Sequence, residues 1–141
     1  MRKKIKLKSK HLFFILLVVI ILFLIFFLWE NYVVLGKNQI YTSFIASENI
    51  GFDLNPDSLT FGKINPGQSG KRDLAIKNDF DIPAKVSIKS KGSISKYLIV
   101  SENDFYLGPG EEKNVSFTVS LPEDLALKKY DGFINIFLKR F

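Results

Sequence analysis

The chain has 141 residues, a net charge of +6 and a single histidine, with 47% hydrophobic residues and no cysteine. That length accommodates one domain of about 100 residues plus an appendage. The missing cysteine excludes a disulfide framework, thiol nucleophiles and cysteine-ligated zinc, so any folded domain must stand on its core alone.

The first element is a basic tail, residues 1–11. Arg2, Lys3, Lys4, Lys6, Lys8 and Lys10 account for the whole charge excess, because the remainder carries 14 basic and 14 acidic residues. A nucleic-acid partner needs its positive surface on the folded domain, so no nucleic acid is expected. Attraction to anionic lipid heads and control of topology both fit such a tail, and topology control is preferred.

Next comes an uninterrupted apolar run, Leu12–Trp29. As a helix it rises about 27 Å, close to the roughly 30 Å hydrocarbon core of a bilayer. Trp29 and Tyr32 sit where aromatic residues mark a membrane interface. Val33, Val34 and Leu35 can prolong the helix to a cap at Gly36, so a transmembrane signal-anchor helix is expected over 12–35. A cleaved signal peptide fits less well, since its apolar region is shorter and small residues follow it. A type IV pilin signal fits poorly too, because the acid Glu30 lies at the end of the run. With the basic residues on the amino side, the N-terminus is expected in the cytoplasm and the C-terminal part outside the cell membrane, extracellular or periplasmic.

From Gln39 onward the pattern changes to short segments of period two, separated by Gly, Pro, Asn and Asp. Residues 36–49 read as a juxtamembrane segment, with an extra strand as the other option, and 50–141 as an all-β sandwich. In KRDLAIKN, Leu74 and Ile76 alternate with Asp73 and Lys77. In PAKVSIKS, Ala84, Val86 and Ile88 alternate with polar residues, and in KNVSFTVSL so do Val115, Phe117, Val119 and Leu121. Such alternation buries one sheet face and wets the other. PEDLALKKY, opened by Pro122, permits one short turn and no more.

NPGQSGKRDLAIKN, from Asn65, and GPGEEKNVSFTVS, from Gly108, echo each other with their prolines 43 residues apart. Each has Pro-Gly, polar residues, a Lys and an alternating strand. A tandem repeat is one reading; two equivalent turns that lead into the edges of two packed sheets are the preferred one. These segments, with IPAKVSIKS and YDGFINI, resemble the immunoglobulin-like β-sandwich domains of the major-sperm-protein, ASH and NEW3-like type found in exported prokaryotic proteins. The likeness covers roughly 54–138. It implies an Ig-like domain over 50–141, with about seven strands used for binding or as a spacer, and no catalytic residues.

Three motifs invite chemistry. Gly70-Lys71 looks like a phosphate loop, but the position of its first glycine holds Asn65 and that of its hydroxyl holds Arg72. Pro66 and Gly67 instead match the two central positions of a type II turn. Asp53, Asn55 and Asp57 open like a calcium loop, yet Ser58 and Ile64 stand where Gly and Glu are needed. Asx turns account for them and for Asp79 and Asp81, so no metal and no cofactor is expected. His11 is at the cytoplasmic edge, and the neighbouring acids Glu111-Glu112 and Glu123-Asp124 point apart into solvent. No enzyme and no small-molecule substrate is inferred.

Asn114 opens an Asn-Val-Ser sequon on an outward strand position, a candidate glycosylation site. The last strand, DGFINIFLKRF, puts Ile134, Ile136 and Leu138 on its core side and Phe133, Phe137 and Phe141 on the other. Those rings are either covered by QIYTSFIAS, residues 39–47, the preferred reading, or form a candidate partner surface.

The expected protein is a single-pass, non-catalytic envelope protein in contact with the lipid bilayer. Its exported Ig-like domain binds or positions a protein partner, by strand addition at a sheet edge if a partner is engaged. The alternative is a structural subunit of a membrane machine such as an archaellum- or pilus-associated complex. The run lacks small-xxx-small spacing, which slightly disfavours that alternative. A carbohydrate-binding domain is a third reading, weakened because Trp29 is the only tryptophan.

Overall fold

The computed structural model describes residues 9–49, 51 and 58–140, and the chain divides into two compact units, Met1–Val33 and Val34–Phe141. The tail residues Arg2, Lys3, Lys4, Lys6 and Lys8, the acids Asp53 and Asp57 with Asn55, and Phe141 lie outside the described residues. In the first unit the helix α1 spans Ser9–Val33. Its apolar stretch holds no Gly, Pro or short polar residue to compete for the backbone. All side chains from Phe13 to Leu28 are apolar and exposed. Among the described residues no helix is long and apolar enough to cross a membrane. Phe13 to Leu28 rises only about 24 Å; the side chains of Leu12, Trp29 and Tyr32 fall outside those described.

The strand β1, Val34–Ala46, starts at the next residue. The expected continuation of the helix through Leu35 to a Gly36 cap is therefore corrected. Gly36 faces Leu138 across a sheet, and a Cβ there would meet the Phe80 ring at 3.2 Å. The stretch read as juxtamembrane is an internal strand of the sandwich.

Seven further strands follow: β2 Leu59–Ile64, β3 Ser69–Lys77, β4 Ala84–Gly92, β5 Leu98–Val100, β6 Phe105–Leu107, β7 Glu112–Ser120 and β8 Lys129–Lys139. They form a five-stranded sheet, β2-β1-β8-β4-β6, and a three-stranded sheet, β3-β7-β5. Among the described residues eight strands thus stand where about seven were expected. The fold is a mostly-β, two-sheet sandwich.

Period-two patterning explains the core. Phe44, Val86, Ile88, Ile134 and Ile136 from the larger sheet meet Ile76, Val115, Phe117 and Val119 from the smaller one, all buried. At roughly 25 cal/mol per Å² of apolar surface, such layers are the main stabilising term. Among the described residues every buried member of this core belongs to 34–141, so the second unit has a core of its own. Phe44 stacks on Tyr130 at 4.9 Å, and Tyr97 meets both rings edge-on. Burial pushes the Tyr130 hydroxyl above its ordinary pKa, with a further push from Tyr97; that hydroxyl donates to the Ala126 carbonyl at 3.1 Å.

The two Pro-Gly segments form the same turn. Gln68 N–H donates to Asn65 O at 3.0 Å, and Glu111 N–H to Gly108 O at 3.1 Å. Gly67 and Gly110 adopt φ of 79° and 71°, the left-handed value a type II turn needs at its third position. The launched strands β3 and β7 are antiparallel neighbours in one sheet, from Ser69 opposite Ser120 to Lys77 opposite Glu112. The expectation that the turns feed two different sheets is corrected. Each turn starts one strand and ties down the end of the other: Gly67 N–H donates to Leu121 O and Gly110 N–H to Asn78 O. That mutual docking is the physical reason for the sequence echo.

Asn78 is the best-bonded polar residue among those described. Its fully buried side chain donates to the carbonyls of Ile82 (2.9 Å), Leu107 (3.2 Å) and Gly108 (2.9 Å). Its oxygen accepts from Phe80 N–H at 3.2 Å, an Asx turn. One amide thus fastens the loop after β3 to the end of β6.

Gly67→Ala is expected to cost about 1 kcal/mol through the left-handed backbone, read as a small drop in thermal midpoint. Lys71→Ala should leave the midpoint unchanged, since its bridge to Asp73 joins two mostly exposed groups at 3.6 Å.

Candidate interaction surface

The outer face of the five-stranded sheet is set by strand register. Along β8 the outward positions are odd-numbered from Lys129 to Lys139. Phe133 and Phe137 fall among them, and Ile134, Ile136 and Leu138 face the core. The strand β1 lies beside β8, with Tyr41 opposite Phe133 and Lys37 opposite Phe137. The segment expected to lie over the rings is therefore their in-plane neighbour, and it shields them from the side. Tyr41 meets Phe133 edge-on at 5.8 Å, leaving Phe133 43% exposed. Phe137 is half-buried under two ammonium groups, Lys37 and Lys139 Nζ, each 5.6 Å from the ring centroid. Between these aromatic rows the Gln39 amide donates to Asn135 Oδ1 at 3.0 Å, which satisfies a buried amide on an otherwise open face.

A concavity opens between β1 and β3. It encloses 380 Å³ and has Ile40, Leu74, Ile76, Phe80 and Ile136 among its lining, with Lys37, Lys77 and Asp79 beside them. Lys77 and Asp79 pair at 2.7 Å, and this raises the lysine pKa above its ordinary value.

The remaining sequence-derived residues are dispersed. Among the described residues no group of three His, Cys, Asp or Glu side chains is placed to hold a metal ion. Asp79 is engaged by Lys77, and Glu111 Oε2 accepts from Gly108 N–H at 2.6 Å inside its turn. His11 and Lys10 are exposed on α1, and Asn114 is exposed on β7. Lys71 and Arg72 lie on β3, where Arg72 Nε donates to Thr60 O at 3.0 Å, bridging to β2. Asp73 accepts from the Ser116 hydroxyl; this bond, and then the Lys71 ammonium, hold its carboxyl below the ordinary aspartate range.

Sequence reasoning missed Asn78 and Asn103. The Asn103 amide accepts from Ile88 N–H at 2.7 Å and donates to Ile88 O at 3.0 Å. It replaces the backbone pairing that β6, beginning at Phe105, does not reach. An Asn one residue past a strand end is the only signal the sequence offers for Asn78.

The architecture defines a class, a long apolar helix followed directly by a two-sheet β-sandwich with its own core. No family model, no curated protein and no solved structure matches the chain.

Proposed function

We propose that the protein is a single-pass, membrane-anchored and non-catalytic envelope protein whose exported Ig-like sandwich binds or positions another protein. The observation that carries this reading is the apolar run Leu12–Trp29 on one helix, followed directly in the chain by a unit with a core of its own. As a helix the run rises about 27 Å against a hydrocarbon core of roughly 30 Å, and basic residues ahead of such a run favour an N-terminus kept inside. A chain whose only histidine precedes that run, and which has no cysteine, carries no imidazole base and no thiol nucleophile into the sandwich. The Ig-like type is supported by the Tyr130 hydroxyl returning to a carbonyl four residues upstream, the device of a tyrosine corner. Half-exposed Phe133, with Tyr41 edge-on beside it, gives the face on which a partner would sit.

Membrane fractionation tests the anchor. The full chain should stay in the pellet through alkaline carbonate washing, and residues 34–141 alone should be soluble. Release of the full chain by carbonate would sink the anchor reading.

A further inference from the structure

The near-neutral balance of the sandwich conceals a one-sided charge distribution. The outward positions of β1, β8 and β4 carry Lys37, then Lys129 and Lys139, then Lys85, Lys89 and Lys91, against one acid on those strands, Asp131, and one beside them, Asp104, which pairs with Lys85 at 3.5 Å. On the three-stranded sheet the lysines have acids at hand: Lys71 with Asp73, Lys77 with Asp79 and Lys113 with Glu102. The basic face also holds rings. Lys139 lies opposite Lys85 and Lys85 opposite Tyr106, which is 56% exposed. The next outward row begins with Lys37 opposite Phe137.

Lysine with half-buried aromatic rings is the combination that suits a phosphate-rich interface, where the ammonium meets phosphate and the ring sits at headgroup depth. The two rows nearest the start of β1 together combine three lysines with Phe137 and Tyr106. Val34 follows the last residue of α1 directly in the chain, and only Val34, Leu35 and Gly36 stand between that helix and Lys37 in sequence. We propose that this end of the sheet, Lys37, Lys85 and Lys139 with Phe137 and Tyr106, docks on the phosphate headgroups of an anionic bilayer. The proposal rests on the anchor reading for bringing a bilayer within reach, and on charge and aromatic content for the choice of ligand. Docking there sets the orientation in which the sandwich presents its other surfaces.

The test uses residues 34–141, which hold every described residue of the core and omit both α1 and the basic tail, so neither can produce the signal. Sedimentation with phosphatidylcholine vesicles is compared with vesicles containing roughly 30% phosphatidylglycerol. Binding is expected to the anionic vesicles alone and to weaken with added salt. Lys37→Gln, Lys85→Gln and Lys139→Gln together should lower partitioning roughly 10- to 100-fold with the thermal midpoint retained. Lys71→Gln, Lys77→Gln and Lys113→Gln together should leave it unchanged. Equal binding to both vesicles, or equal loss in both triple variants, overturns the proposal. Retention on an acidic polypeptide or single-stranded DNA without vesicle binding overturns it as well. Should the fragment lack a thermal transition, acetylation of Lys37, Lys85 and Lys139 in the full chain, in anionic and neutral nanodiscs, gives the same comparison: several-fold protection in anionic discs supports docking, and equal labelling overturns it. Carbonate extraction of the full chain reports on the anchor independently, so the two readings fail separately.

Discussion

Asn78→Asp is expected to unfold residues 34–141 at neutral pH and to leave them partly recoverable in acid. The native amide directs its NH₂ at three carbonyl oxygens from a fully buried position. A carboxylate there would face those same oxygens without protons to share, and burial penalises its charge further. Its folded pKa would be raised above the unfolded value. Stability is then greatest below the unfolded pKa and is lost as pH rises through the folded one. Asn78→Ala avoids the charge but strips donors from Ile82, Leu107 and Gly108. A loss of about 3 kcal/mol, a drop in thermal midpoint on the order of 15 °C, is expected. Circular dichroism melts of the three proteins across pH check both results. An aspartate variant as stable as the parent at pH 7 would contradict the assigned hydrogen bonds.

Gly132→Ala is the second large effect, at about 3 kcal/mol or more. A Cβ at Gly132 would lie 2.0 Å from the Lys91 carbonyl oxygen and 3.0 Å from Ile94 Cγ2. The first obstacle is backbone held in the β4–β8 pairing, where Gly92 stands opposite Gly132, so it cannot yield as a flexible side chain would. Gly92 has φ 99° and leads into a short 3₁₀ helix, Ser93–Lys96, whose Ile94 is fully buried. Close backbone approach lets β4 end and Ile94 enter the core. Gly110→Ala makes the control, since nothing lies within 4 Å of its Cβ; only backbone strain of about 1 kcal/mol applies there. Equal melting losses for the two variants would show that contact at Gly132 is not the cause.

The strands β3, β4, β7 and β8 were legible because Val, Ile, Leu and Phe alternate with polar residues there, and the turns because Pro-Gly fixes two dihedrals at once. The end of α1 was not. Val33-Val34-Leu35 satisfies a helix pattern and a strand pattern alike, and long-range pairing of β1 with β8 and β2 decides. The short strands β5 and β6 carry too few residues for period two to register. For the candidate surface, the sequence placed Phe133 and Phe137 outward, and it could not show which strands flank them. The basic face was hidden for the same reason. Its lysines come from three segments far apart in the chain, and only sheet order assembles them. A neutral total said nothing of sidedness.

The absence of cysteine makes the central claim, a sandwich held across the membrane from a cytoplasmic tail, directly measurable. Single cysteines placed by Ser120→Cys on the exposed end of β7 and by Ile5→Cys in the tail are probed in whole cells with a membrane-impermeant maleimide. The account predicts that Ser120→Cys is labelled in intact cells and Ile5→Cys only after permeabilisation. Labelling of both, or of neither, before the membrane is opened would contradict it.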